Sequence, residues 1–276
     1  MAKLRYVKTP AELAIAAKLN PEFLPNTTRQ VRAVYATDPE VVAAILPPPL
    51  RPTDRPEVGI TISRVSMHLA PGFDIDIGAA VFGVRTTYDG VEGLYMVTMP
   101  MSTESAVVGG RETFGEPKKL AQVDFQHTED AVSASITRQG VTYIEVHGRV
   151  QEPLGHRSFT DYSYCFKCLP ALDKGKALEF DPLLVRLEWR QQFAVSRMTG
   201  EVILRESPFD PVVDLPVRSL VSMTYEEGTS HSSGKVVRSI PAEWLVPYLH
   251  QRYDDITPML AALAERDAGG AAQPHA

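Results

Sequence analysis

From Val58 onward the chain alternates with a period of two. Ile60, Ile62, Arg64 and Ser66 share one face, and Thr61, Ser63 and Val65 share the other. That spacing is the signature of a strand with two unlike sides. Similar runs span Ala80 to Tyr88, Gly93 to Met101, Tyr162 to Leu169 and Ser219 to Tyr225. Val132 to Thr137 and Val141 to Val150 flank Arg138-Gln139-Gly140, which reads as a hairpin with glycine in its loop. Leu183 to Arg197 and Glu201 to Arg205 form a second predicted hairpin, turning at Met198-Thr199-Gly200.

Helical signals gather at the two ends. Pro10 to Leu19 is rich in alanine and leucine, with Thr9 as its cap. Thr37-Asp38-Pro39-Glu40 opens a short helix through Ile45, supplying a cap, a first-turn proline and an acid. Pro47, Pro48 and Pro49 end it, because proline donates no backbone hydrogen bond. Pro241 to Tyr253 and Pro258 to Arg266 predict C-terminal helices, and residues 268–276 a disordered tail. No repeat or long linker divides the chain. The expected fold is α+β and β-rich: an antiparallel, barrel-like or curved sheet with peripheral helices, in one domain over residues 1–267.

Composition narrows the function classes. The 276 residues carry a net charge of −6 with no basic tract, which argues against nucleic acid as a partner. No apolar run is long enough to span a membrane, and the first residues contain no apolar signal core, so cytoplasm is the expected compartment. Cys165 and Cys168 lack the further ligands of a zinc site and read as two reduced thiols, one of them buried. The histidines are scattered. Gly110 and Gly115 have phosphate-loop spacing, but Glu116 stands where such a loop needs lysine. No Gly-x-Ser-x-Gly elbow is present.

Candidate chemistry concentrates at Gly110 to Leu120, where Pro117 precedes the paired Lys118 and Lys119. A lysine attacks a carbonyl only as the neutral amine, and its reference pKa of about 10.4 leaves little of that form at pH 7. Burial and a second cation both favour the neutral form. Adjacent side chains point to opposite faces of a strand, so one lysine is the nucleophile and the other a field source or structural anchor. Glu116 lies two residues before Lys118, on the same face of a strand, and is a candidate proton shuttle.

The pattern Gly110-Arg111-Glu112 through Pro117-Lys118-Lys119-Leu120 resembles the acetoacetate decarboxylase family. Matches in order include Tyr35, Thr37 and Asp38, Leu46 to Leu50, Gly90 to Gly93, Phe166 to Pro170, and Asp214 to Val217, covering roughly residues 25 to 250. The resemblance implies a β-barrel-like domain, a homo-oligomer, a small keto acid substrate and no cofactor. It assigns Lys118 as the Schiff-base lysine and Lys119 as its neighbour. Activation of such a lysine by desolvation or a nearby cation is the established example for this family. The family's active-site arginine aligns best with Arg29, with Arg32 as the fallback. Its two active-site glutamates fall on Ser63 and Ala79, and Asp74 or Asp76 could substitute, with Asp76 as the further proton-transfer candidate. Decarboxylation of an acetoacetate-like β-keto acid is the expected activity. The alternatives are an aldolase–dehydratase working through a 2-oxo acid enamine, and a non-catalytic carbonyl- or carboxylate-binding protein.

Overall fold

The computed structural model describes residues 4–18, 25–70, 72–257 and 259–263. Among these, ten strands form one sheet. They are β1 (Asn26–Ala36), β2 (Glu57–Ala70), β3 (Phe73–Tyr88), β4 (Val91–Met101), β5 (Lys118–Leu120), β6 (Gln122–Thr128), β7 (Ala131–Arg138), β8 (Val141–Lys167), β9 (Leu183–Leu204) and β10 (Ser219–Ser239). The helices are α1 (Pro10–Lys18), α2 (Pro39–Ile45), α3 (Glu104–Phe114) and the short α4 (Ala242–Leu245). The predicted disordered tail, Leu19 and the end of the last predicted helix lie outside the described residues.

The strand order is β5-β4-β3-β2-β1-β10-β9-β8-β7-β6. A parallel contact, Leu94 with Ser163 and Tyr95 with Tyr164, also joins β4 to β8. That contact closes β4, β3, β2, β1, β10, β9 and β8 into a curved ring, and β7 and β6 continue beyond it. The short β4–β5 pairing is parallel too, so the sheet is antiparallel with two parallel exceptions.

Strand alternation divides the interior in two. Val31, Ala33, Tyr35, Val58, Ile60, Ile62, Ala80, Phe82 and Val84 face outward from the ring, into a core completed by Val132, Ala134, Ile136, Ile144 and Val146. Burying each of the larger side chains stabilises the fold by roughly 1.5–3 kcal/mol. The alternate residues, among them Gln30, Arg32, Thr61, Ser63, Ala79 and Val81, line a cavity inside the ring. Strands β1 to β3 are therefore covered on both sides.

Several expected boundaries move. Residues 198–200 do not turn: β9 runs unbroken for 22 residues, and Gly200 sits opposite Gly148 of β8. A Cβ on Gly200 would lie 2.0 Å from the His147 carbonyl oxygen, so this glycine permits close strand approach instead of a hairpin. The runs at Val141–Val150 and Tyr162–Leu169 belong to one bent 27-residue strand, β8. Residues 241–253 form α4 and two 3-10 turns, not one helix. Both cysteines are buried and free, where one was expected to be. Strands β1 and β6 and helix α3 are additional to the sequence reading.

Candidate active site

Helix α3 ends at Gly115, whose φ of 77° lies in the left-handed region and whose N–H bonds to the carbonyls of Arg111 and Gly110. A Cβ at Gly115 would also sit 2.3 Å from Lys167 Cα, so backbone conformation and close packing both require glycine. The chain then turns through Glu116 and Pro117 into β5, placing Lys118 beside Met99 of β4. Arg111 donates to the Lys118 carbonyl at 3.0 Å, and Arg252 donates to the Gly115 carbonyl at 2.7 Å, pinning both ends of this turn.

Strand geometry separates the two lysines. Lys118 enters the cavity, its Nζ 2.8 Å from Glu116 Oε2, and that carboxylate side chain is only 3% exposed. Lys119 points the other way. Its Nζ lies 2.9 Å from Asp210, 2.9 Å from Asp254 and 3.0 Å from the Phe209 carbonyl oxygen. Arg138 binds the same two aspartates, completing a four-residue network in which only Asp254 is partly exposed. Of the two roles considered for Lys119, its surroundings are those of a structural anchor.

Gly110 makes room for the Glu116 and Lys118 side chains. A Cβ there would lie 2.2 Å from Glu116 Oε2, 2.5 Å from Lys118 Cδ and 2.6 Å from Lys118 Nζ. Both obstacles are side-chain ends that can shift. Gly110→Ala is therefore expected to fold, with helix propensity favouring alanine by about 1 kcal/mol. Displacing the amine by an ångström is expected to lower turnover about 10²-fold. Thermal melts alongside steady-state rates check this, and an unchanged rate would show that the close approach is dispensable.

The cavity has a volume of about 700 Å3. Met96, Met99, Met101, Leu94 and Phe114 give it apolar walls. Arg32 enters from β1, donating to Asp161 at 2.8 Å, Glu226 at 3.1 Å and Gln191 at 2.9 Å. Arg29 does not enter. As an odd-numbered residue of β1 it faces outward, 62% exposed and paired with Glu227 at 2.8 Å, so of the two candidates it is the fallback, Arg32, that the fold brings to the cavity. Asp76 is also on the outer face, opposite Ser66. The Ser66 hydroxyl, aided by Arg64, holds its carboxyl below the usual range, and it is not brought near Lys118. Asp74 pairs with His68 at 2.8 Å.

Ser63 and Ala79 are cross-strand partners, and both line the cavity. Ser63 Oγ donates to the Ala79 carbonyl oxygen at 2.9 Å. Behind the reactive turn, the Cys165 thiol donates to the Phe114 carbonyl oxygen at 3.3 Å. Burial, and next the Glu116 charge, push this thiol well above its ordinary pKa, which rules it out as a thiolate nucleophile. Asp161, Glu226, Gln191, Asp210 and Asp254 were not singled out from sequence. Each joins its partners only through contacts distant in sequence, Asp161, Gln191 and Glu226 from strands and Asp210 and Asp254 from loops, and carries no local pattern.

A family profile described as Acetoacetate decarboxylase (ADC) matches residues 8–240, spanning the ring and the lysine turn. The chain belongs to the acetoacetate decarboxylase family. Acetoacetate decarboxylase 1 of Bradyrhizobium diazoefficiens is 28% identical over 216 residues, covering 74% of this chain and 83% of the relative. The CLA biosynthesis isomerase of Lactiplantibacillus plantarum is 27% identical over 137 residues, covering 46% and 47%. Among solved structures, acetoacetate decarboxylase from Legionella pneumophila superposes with a TM-score of 0.66 at 19% identity, covering 86% of this chain and 98% of that one. The enduracididine biosynthesis enzyme MppR in complex with pyruvate has a TM-score of 0.63 at 13% identity, covering 84% and 95%. These structures share the curved sheet, and as a member of the decarboxylase family this chain is a lyase. No described helix is long and apolar enough to cross a membrane.

Proposed function

We propose that this enzyme condenses Lys118 with a small keto acid, and that its principal reaction is decarboxylation of an acetoacetate-like β-keto acid. The observation that carries the proposal is the Lys118–Glu116 pair, 2.8 Å apart at the wall of the cavity, with Glu116 buried and Lys118 nearly so. Glu116 takes a proton from the lysine nitrogen, and the freed amine adds to the ketone. Glu116 returns the proton to the carbinolamine hydroxyl, which leaves as water and yields a protonated imine. The bond to the carboxylate then breaks, CO2 departs, and the electron pair enters the enamine. Protonation at carbon and hydrolysis release the ketone and regenerate the amine.

Arg32 is the carboxylate contact in this scheme. Its hydrogen bonds go to Glu226, Asp161 and Gln191, and the Asp161 side chain is 42% exposed. A substrate carboxylate binds by replacing Asp161, the partner that water can most readily solvate.

Ser63 and Ala79 favour a second reading. With no carboxylate at either position to act against the substrate carboxylate, the enamine can persist and add to an aldehyde, as an aldolase–dehydratase does. The MppR complexes with pyruvate, and with its condensation product with imidazole 4-carboxaldehyde, lend that reading support by fold alone.

The test is borohydride trapping with acetoacetate and with pyruvate, read by intact mass, with CO2 release followed in parallel. An acetoacetate adduct accompanied by CO2 supports decarboxylation; a pyruvate adduct that turns over only with an added aldehyde favours the second reading. Absence of any adduct would sink both. Glu116→Gln keeps the shape and removes the shuttle, so kcat is expected to fall about 10²–10⁴-fold. An unchanged kcat would remove Glu116 from the mechanism.

A further inference from the structure

The cavity is much roomier than a four-carbon keto acid requires. At about 700 Å3 it lies among pockets that enclose drug-sized ligands. Its lining changes on either side of the lysine. Toward the start of β2 it is charged, with Glu57 2.6 Å from Arg85 and Glu92 nearby. In the other direction, outward from Ser63 and Ala79, Val65, Met67, Ile77 and Met101 form an apolar wall, with Asn26, Thr28 and residues 230–232 along the β1–β10 side. From Ser63 to Met67 the strand advances roughly 13 Å.

Three further observations define this second end. Helix α3 borders it with Ser105, Ala106 and Gly109, and a Cβ built on Gly109 meets nothing within 4 Å. Several of its polar neighbours are committed to one another: Ser63 to the Ala79 carbonyl, the Thr28 and Ser230 hydroxyls at 3.1 Å, and Gln30 to Glu226 at 2.5 Å. Small, uncharged side chains also stand where the resemblance places two glutamates, which adds volume and removes charge.

We propose that this end is a subsite for an apolar extension on the carbonyl substrate, an alkyl chain or aryl group several carbons long. The proposal rests on the imine reading above and supplies its substrate class: a β-keto acid bearing a hydrocarbon tail on the ketone side in place of a bare methyl. The tail lies along Val65, Ile77 and Met101 while Lys118 engages the carbonyl.

The experiment compares acetoacetate, 3-oxohexanoate and 3-oxooctanoate by the rate of borohydride-trapped adduct formation at limiting concentration. Each buried methylene is expected to tighten binding about three- to fourfold, giving roughly 10²-fold between the shortest and longest acids. Ala79→Phe, and separately Gly109→Leu, are expected to reduce that preference at least tenfold, by the loss of several such methylenes. Octanoate, which has no ketone, is measured by calorimetry against wild type and Ala79→Phe, and it is expected to bind wild type only. An acetoacetate adduct with a flat chain-length series and no octanoate binding would overturn the subsite and leave the imine reading standing. Octanoate binding that Ala79→Phe abolishes, with no adduct from any keto acid, would keep the apolar site and overturn the imine reading alone.

Discussion

Lys118→Ala is expected to abolish the borohydride-trapped adduct and to lower turnover by roughly 10⁴-fold or more, the scale on which losing a covalent nucleophile acts. Among the described residues no other lysine lines the cavity: Lys119 is on the opposite side of β5, held by Asp210 and Asp254. The variant also strands the Glu116 carboxylate, which is 3% exposed and loses its charge partner. A buried charge left alone costs about 3–5 kcal/mol, so a loss of activity could reflect unfolding instead of missing chemistry. Two controls separate these. The double variant Lys118→Met with Glu116→Gln removes the stranded charge and is expected to melt closer to wild type. Ethylamine added to Lys118→Ala is expected to restore part of the turnover, because a free amine can enter the vacated space. Full activity in a folded Lys118→Ala protein would overturn the mechanism.

Asp210→Ala is expected to be the most destabilising single change in the network around Lys119. The carboxylate is 1% exposed and binds Lys119 at 2.9 Å and Arg138 at 2.8 Å, both of them nearly buried. Removing it leaves two cations sharing Asp254, at a cost of about 3–5 kcal/mol. At about 2–4 °C per kcal/mol the melting temperature falls by roughly 6–20 °C. Arg29→Ala, which breaks an exposed pair, is expected to change stability by no more than about 0.5 kcal/mol. Equal effects from the two variants in thermal melts would refute the assignment of Lys119 as an anchor.

Acid should act on the same network. Burial tends to raise the Asp254 carboxyl, but hydrogen bonds from Arg138 and Lys119 more than offset it and hold it below its ordinary value. The unfolded chain thus binds the proton more readily. The stabilisation is fully present above the unfolded value of about 3.9 and is lost as pH falls through the depressed folded value. Urea midpoints should drop on acidification below about pH 4, and less steeply in Asp254→Asn.

The lysine turn was the most legible part of the chain because its logic is local. A period of two sends Lys118 and Lys119 to opposite faces of β5, while the turn before it brings Glu116 to Lys118. The β-rich class followed from alternation in the same way, and β2 kept its expected faces. Helix α3 was hidden because Gly109 and Gly110 each disfavour a helix by about 1 kcal/mol. Tertiary packing overrides that penalty, since only glycine at position 110 leaves room for the reactive side chains. Gly200 was misread for a related reason: a turn and a tight strand crossing both call for glycine, and sequence does not distinguish them.

By itself, the sequence yielded the sheet-rich class from alternation, and the family from ordered matches along the chain, which also single out Lys118 as the candidate nucleophile. The structure decided which face of each ring strand meets the cavity. Both faces of β1 to β3 are covered, so alternation sorts Arg29 from Arg32 without saying which one points inward. It also decided the partners of Lys119, the nearer carboxylate ligand being 91 residues away in sequence. Such pairings arise only when the loops carrying Asp210 and Asp254 pack against β5 and β7. Their free energy comes from burial of groups distant along the chain, and no local pattern encodes that.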